Sequence, residues 1–216
     1  MNNPLFQLLG YDITANCLAI SGGLVLLLTS IKYYMAGGKC KINKDLTGKV
    51  AVITGGNTGI GRETALDLAL RNCTLIIGAR DKGRLEETIK EINRVNPKAK
   101  ASYSVLDLGD RESIEQFSRF VLNNCEKIDF LINNAGVMMV PERRETKDGL
   151  EMQIGINHFG HFYLTYLFFS HLKKADDFRI TNVSSRAHLR TKQIDFDDIH
   201  HKNSYLAKGY NSSLIN

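Results

Sequence analysis

Thr54-Gly55-Gly56-Asn57-Thr58-Gly59-Ile60-Gly61 is the stretch on which the fold turns, because of what stands on either side of it. The apolar run KVAVIT, residues 49–54, leads in, and the helix-like RETALDLAL, residues 62–70, leads out. A strand that turns through closely spaced glycines into a helix brings bare backbone N–H groups and the positive end of the helix dipole to one point. Gly55, Gly59 and Gly61 allow the tight turn, the close backbone approach and the close helix packing that a bound pyrophosphate demands. The intervening Asn57, Thr58 and Ile60 then belong to the same dinucleotide-binding turn.

Working outward, short apolar runs alternate with amphipathic stretches. Strands are predicted at Lys49–Thr54, Thr74–Gly78, Ser102–Leu106, Asp129–Asn133 and Phe178–Val183. Helices are predicted near Gly59–Arg71, Gly83–Asn96, Ser113–Asn124 and, as one long element, Leu150–Lys174. Strand–helix alternation with right-handed crossovers implies an α/β class, a Rossmann-type doubly wound parallel sheet of order 3-2-1-4-5. The end of the second strand bears on which dinucleotide is bound. An acid there would hold the ribose hydroxyls, whereas Arg80 in IIGARD can pair with a 2′-phosphate, so NADP(H) is the predicted cofactor. Arg62, just inside the first helix, either adds to that phosphate field or is simply solvated.

Ahead of this domain, Ile13–Ile31 carries no charge and is long enough as a helix to cross most of a bilayer core of about 30 Å. Lys32, Lys39, Lys41 and Lys44 follow it and only Asp12 precedes it, which predicts a single-pass anchor with the domain on the cytosolic side. A cleaved signal peptide competes, but no basic segment precedes the run and no small-x-small site directly follows it. Two segments result: residues 1–45 with the anchor and the Gly37-Gly38 link, and residues 46–216 as the nucleotide-binding domain. A formal charge of +5 with acids and bases interspersed reads as solvated surface, and no nucleic-acid partner is predicted. Cys17, Cys40, Cys73 and Cys125 form neither a disulfide framework nor a zinc pattern. His158 and His161, at i and i+3 without a third ligand, read as packing or surface residues, and no metal is predicted. The glycosylation sequons at Asn72, Asn182 and Asn211 read as chance.

The form TGxxxGxG, together with further segments in order over residues 46–213, resembles the short-chain dehydrogenase/reductase family. The anchor, the GGKC element, LTGKVAVITGGNTGIGRETA and the run NVSSRAH are similar to its membrane-bound retinol-dehydrogenase branch. The resemblance implies that Asp107 and Leu108 contact adenine, and that Asn133, Ala135 and Gly136 of the NNAG segment line the cofactor cleft. It places a proton-relay asparagine at Asn157, the catalytic serine at Ser185 and the catalytic tyrosine at Tyr210. It further implies retinal or another hydrophobic carbonyl compound as substrate, a location at the endoplasmic reticulum membrane, and a homodimer joined through the long helix. Phe168 and Phe169 on that helix read as core or subunit packing.

Hydride transfer needs an acid to serve the developing alkoxide, which the serine–tyrosine pair would provide. The family motif is YxxxK, and from Tyr210 the lysine position holds Leu214. Tyr205 does not restore it, since Gly209 is its fourth following residue and Lys208 its third. The sheet is also expected to be incomplete at its C-terminal edge, because the family's strands beyond the fifth do not follow. Two functions therefore stay open: an NADPH-dependent carbonyl reductase or retinol dehydrogenase, and a catalytically impaired form that binds nucleotide or a partner subunit.

Overall fold

The computed structural model describes residues 13–38, 42–190, 194–203 and 205. The chain divides into two compact units, Met1–Asn43 and Lys44–Asn216. In the first, helix α1 spans Ile13–Met35. Its apolar side chains at Ile20, Leu24, Val25, Leu26, Leu27, Leu28 and Ile31 are exposed. Among the described residues no helix is long and apolar enough to cross a membrane, and the side chains of residues 13–16, 18 and 19 of α1 lie outside the described set. The predicted membrane crossing is therefore not shown by the described residues.

The second unit runs β1 (Val50–Thr54), α2 (Gly59–Leu70), β2 (Thr74–Ala79), α3 (Lys82–Val95), β3 (Ala101–Val105), α4 (Arg111–Asn124) and β4 (Phe130–Asn133). Then follow α5 (Met152–Ile154), a π-helical turn (Gly155–Gly160), α6 (His161–Leu172), β5 (Arg179–Asn182) and a 3-10 turn (Arg186–Arg190). All pairings are parallel and the order is β3-β2-β1-β4-β5, as predicted. Every crossover must carry the chain over a face of the sheet, so both faces become covered. Period-two alternation then sorts the side chains: Ala51, Ile53, Leu75 and Ile77 pack under α2 and α3 with Ala65, Ala69, Leu85 and Ile92. Val52, Ile76 and Leu131 point the other way, toward Phe117 and Val121 of α4 and Leu164, Phe168 and Leu172 of α6. The Phe117 and Phe168 rings meet edge-on with centroids 6.3 Å apart. The edge strand β5 is exposed at all four positions.

Two helices start earlier than predicted because of their caps. Asp81 accepts the Arg84 N–H and Asp110 accepts the Glu112 N–H, satisfying free first-turn donors and moving the starts to Lys82 and Arg111. The predicted single helix over 150–174 is a correction of larger kind. It is interrupted by the π turn, where the Asn157 side chain bonds to the backbone of Val137 and the His161 ring takes the Asn157 carbonyl. Insertions of this sort gather at functional sites.

Candidate functional site

Reversal of the strand order between β1 and β4 opens a crevice at the C-terminal ends of the strands, the place where α/β sheets receive ligands. A cleft of about 690 Å³ lies there, and its floor is the turn between β1 and α2. Gly55 has φ +66 and backs onto residue 135 so closely that a Cβ would come 2.9 Å from the Ala135 Cα. Gly59 has φ +53, and a Cβ there would meet nothing within 4 Å, so the backbone at the head of α2 stands open to the cleft. Asn57, Thr58 and Ile60 line the same turn. Gly61 does not line the cleft; it is buried, with no room for a side chain beside Asn134 and the Gly55 carbonyl.

The opposite wall is built from residues 134–137. Thr54, fully buried, accepts N–H bonds from Asn134 at 2.9 Å and Ala135 at 3.0 Å, and the Asn134 side chain donates to the carbonyls of Thr54 and Gly55 at 3.0 and 3.2 Å. Ala135, Gly136 and Val137 line the cleft, with Ile156 from the π turn and Val183 from just beyond β5. Asn133 faces elsewhere: its Nδ2 donates to Asn182 at 2.8 Å and Thr165 at 3.2 Å, bracing β4 against β5 and α6. Its Oδ1, buried, has no hydrogen-bond partner among the described residues.

At the far end, Gly78 and Ala79 of β2 lead to Arg80, Asp81 and Arg84, while Leu106, Asp107 and Leu108 form the side wall after β3. Asp107 is oriented locally, its N–H donating to Ser113 Oγ at 2.9 Å and its Oδ1 accepting the Gly109 N–H. Arg80 is exposed and has no carboxylate partner among the described residues, whereas Arg84 lies 3.3 Å from Asp81. Arg62 is occupied outside the cleft, its Nε donating to Glu91 at 2.9 Å and its Nη1 to Glu63 at 2.7 Å. Of the two readings offered for Arg62, the structure therefore supports a surface residue, held there in an ion pair rather than simply solvated.

Asn157, buried in the π turn, grips the wall from behind, with Oδ1 accepting the Val137 N–H at 2.9 Å and Nδ2 donating to the Val137 carbonyl at 3.0 Å. Ser185 is half-buried in the segment that leaves β5. Tyr210 and Leu214, the second half of the predicted serine–tyrosine pair and its motif position, lie outside the described residues. Tyr205 donates its hydroxyl to the Val140 carbonyl at 2.6 Å, and burial pushes its pKa up, so it is a bound acid away from the cleft lining. Phe168 and Phe169 separate in role: the first is core, the second exposed with Lys173 over its ring. His158 is exposed and His161 buried, so the two do not act as a pair.

The sequence alone assigns no individual site role to Asn134, Val137, Ile156, Val183 or Arg84, and His161 reads there as a packing or surface residue. Asn134 and Val137 adjoin predicted site residues, and Val183 ends the predicted fifth strand, so strand-end position was a usable signal. Ile156 and His161 depend on the π turn, for which the sequence carries no local mark.

Comparison with known proteins gives a consistent answer. Residues 49–193 match the family model described as short chain dehydrogenase. Retinol dehydrogenase 13 of Mus musculus is 43% identical over 182 residues, covering 83% of this chain and 52% of that protein. Retinol dehydrogenase 11 of Homo sapiens is 42% identical over 200 residues, covering 88% of this chain and 61% of that protein. The chain thus spans about half to three-fifths of the length of these curated relatives. A crystal structure of an uncharacterized Mycobacterium Paratuberculosis protein superposes with TM-score 0.67 at 33% identity, covering 79% of this chain and 58% of that one. An Escherichia coli CFT073 protein solved in complex with NADPH shares the fold at 20% identity and TM-score 0.62, covering 80% and 67%. With the glycine turn, the cleft and the sheet order already in place, these matches mean that the chain belongs to the short-chain dehydrogenase family, in its retinol-dehydrogenase-like branch.

Proposed function

We propose that the cleft binds NADP(H) and serves hydride transfer between its nicotinamide and a hydrophobic carbonyl or alcohol, retinal and retinol being the pair suggested by the relatives' names. The observation that carries the cofactor reading is the open backbone at Gly59 on the head of α2, facing a cleft whose far end holds the Arg80 guanidinium, which has no carboxylate partner among the described residues. A pyrophosphate suits the first and a 2′-phosphate the second. Asp107 and Leu108 would flank the adenine, while Ala135 and Gly136 would back the nicotinamide ribose. When bound, the nicotinamide supplies or accepts the hydride. Ser185 would hold the carbonyl oxygen, Tyr210 would give or take its proton, and Asn157 would fix the wall beside them.

The domain is assigned to residues 46–216 and membrane attachment to residues 1–45. Support for attachment comes from the uncharged run over 13–31 and from the exposed leucines of α1, which present apolar surface. The lysines after this run favour a cytosolic domain. Phe162, Tyr166 and Phe169, exposed at helical spacing on α6, support a homodimer contact.

A second reading, nucleotide binding without turnover, is favoured by Leu214 at the motif's lysine position. An isolated tyrosine titrates near ~10, so without a neighbouring cation little phenolate forms for alcohol oxidation. The deciding assay is NADPH oxidation with all-trans-retinal by the detergent-solubilised chain, beside a variant carrying a lysine inserted between Ser213 and Leu214 and a parallel NADPH titration. Turnover above the no-enzyme control supports the oxidoreductase. Binding with no turnover supports the second reading, and rescue by the inserted lysine assigns the defect to that position. The Arg80→Ala change is expected to weaken NADPH about ten- to a hundredfold and to leave NADH nearly unchanged, the loss of a charge-assisted phosphate contact. Equal losses for both cofactors would remove Arg80 from 2′-phosphate recognition.

A further inference from the structure

Residues 134–137 are gripped at both ends, and one imidazole joins the grips. At the first end, the Thr54 hydroxyl accepts two backbone N–H groups, from Asn134 at 2.9 Å and Ala135 at 3.0 Å. A hydroxyl has two acceptor positions and one proton, so both acceptor positions are filled and only the proton remains to be given. His161 Nε2 lies 2.8 Å from that oxygen. The Ile132 carbonyl, at 3.5 Å, is too far to compete for the proton. Nε2 must therefore be the bare, accepting nitrogen, and the ring proton must sit on Nδ1.

The other end of the ring reaches the same answer independently. His161 Nδ1 lies 3.0 Å from the Asn157 carbonyl oxygen, which can only accept. A bare Nδ1 would set two lone pairs against each other in a buried site, where an unmade bond is costly. Asn157 in turn holds Val137 through both atoms of its side-chain amide, at 2.9 and 3.0 Å. The route from Asn134 and Ala135 through Thr54, His161 and Asn157 to Val137 thus closes a loop of hydrogen bonds behind a wall of the cleft.

We propose that His161 is a positioning residue, a neutral imidazole protonated on Nδ1 that locks Thr54 to Asn157 and so fixes the 134–137 wall against the bound dinucleotide. The proposal rests on the reading of the cleft as a dinucleotide site. His161 is 4% exposed, so no solvent proton exchanges freely with the ring. Burial lowers its pKa, the Asn157 carbonyl opposes that shift, and the charge of His158 adds to it. The side chains around it from β1, β4 and α6, namely Thr54, Asn133 and Thr165, carry no charge.

Two measurements on the full chain test this. The first is a nitrogen-15 correlation spectrum of the histidine rings between about pH 6 and pH 8, with His161 assigned by the signals lost in His161→Gln. A protonated Nδ1 and a bare Nε2 throughout are expected, because a ring that merely fills space would adopt no fixed tautomer. Protonated Nε2, or averaged shifts, would overturn the proposal. The second is a NADPH titration of His161→Asn and His161→Gln, alongside their circular dichroism. Asparagine reaches only where Nδ1 stood and glutamine only where Nε2 stood, so each breaks the lock at one end. Each is expected to bind about three- to tenfold more weakly, the scale of one net hydrogen bond. Unchanged affinity in both would overturn the lock, and if a variant fails to fold the tautomer decides. Should the unsubstituted chain not bind NADPH, the dinucleotide reading fails while the spectrum still judges the tautomer.

Discussion

Gly55 meets two demands at once, a left-handed backbone at φ +66 and an approach to Ala135 too close for a side chain. Replacing it by alanine imposes the strain of that φ and pushes a methyl group into the backbone of the opposite wall. Gly55→Ala is expected to cost about 1–3 kcal/mol and, for a domain of this size, to lower the melting midpoint by about 2–4 °C per kcal/mol. Thermal unfolding followed by circular dichroism measures the first effect. A NADPH titration on the same protein should show weakened binding, since the wall at residue 135 moves with the turn. An unchanged midpoint would mean that the turn relaxes freely, contrary to the packing seen here. The sequence motif predicted a glycine at this position; the contact with Ala135, which explains why no other residue fits, comes from the folded chain.

At the scale of elements, the closing of β1 against β4 is held at its lower end by Asp129. This fully buried carboxylate bonds to Lys49 Nζ at 2.8 Å and to the Val50 N–H at 2.9 Å, with Lys127 3.4 Å away. Burial alone would raise its pKa, but the Lys49 and Val50 bonds and the two ammonium charges outweigh it, so the carboxyl sits below the ordinary aspartate value. A depressed folded pKa means that the unfolded chain binds more protons as acid is added. The stabilisation is present above the unfolded value near ~3.9 and is lost as pH falls through the folded one. Urea unfolding from pH 7 down to about pH 3 should therefore show stability dropping at the acid end. Asp129→Asn is expected to be about 1–3 kcal/mol less stable at neutral pH and to lose part of that acid slope. A slope unaltered by the substitution would assign the acid sensitivity to other carboxylates. Lys127 stands two residues from Asp129, but Lys49 lies 80 positions away, and only the parallel pairing of β1 with β4 brings it there.

Across the whole molecule, the division into Met1–Asn43 and Lys44–Asn216 separates an apolar helix from a domain with its own two-faced core. If the first unit attaches the chain to lipid, removing residues 1–43 should abolish co-flotation with phosphatidylcholine vesicles. The remaining domain should keep its unfolding midpoint within about 2 °C, since the described core clusters draw all their residues from position 46 onward. Flotation that survives the deletion would place the membrane contact elsewhere, and a collapse of the midpoint would show that the two units share stability.

How much of this was legible beforehand follows from which interactions are local. The glycine turn, the alternation of apolar strands with amphipathic helices and the resulting order β3-β2-β1-β4-β5 were all readable, because turn chemistry, periodicity and crossover handedness act over a few residues or through a general rule. Arg80 was readable as the residue that follows the second strand, whereas Ala135 and Gly136 after β4 were named through the family resemblance of the NNAG segment. What tertiary structure decided were the places where distant polar groups compete for one another. Arg62 was drawn to Glu91 across α2 and α3, Asn133 was turned toward Asn182 and Thr165, and the helix predicted over 150–174 opened into a π turn. The Nδ1 proton of His161 belongs to the same class. It is set by counting the donors and acceptors that folding gathers around Thr54 and Asn157, a sum over residues from three separate stretches of chain that no window of sequence contains.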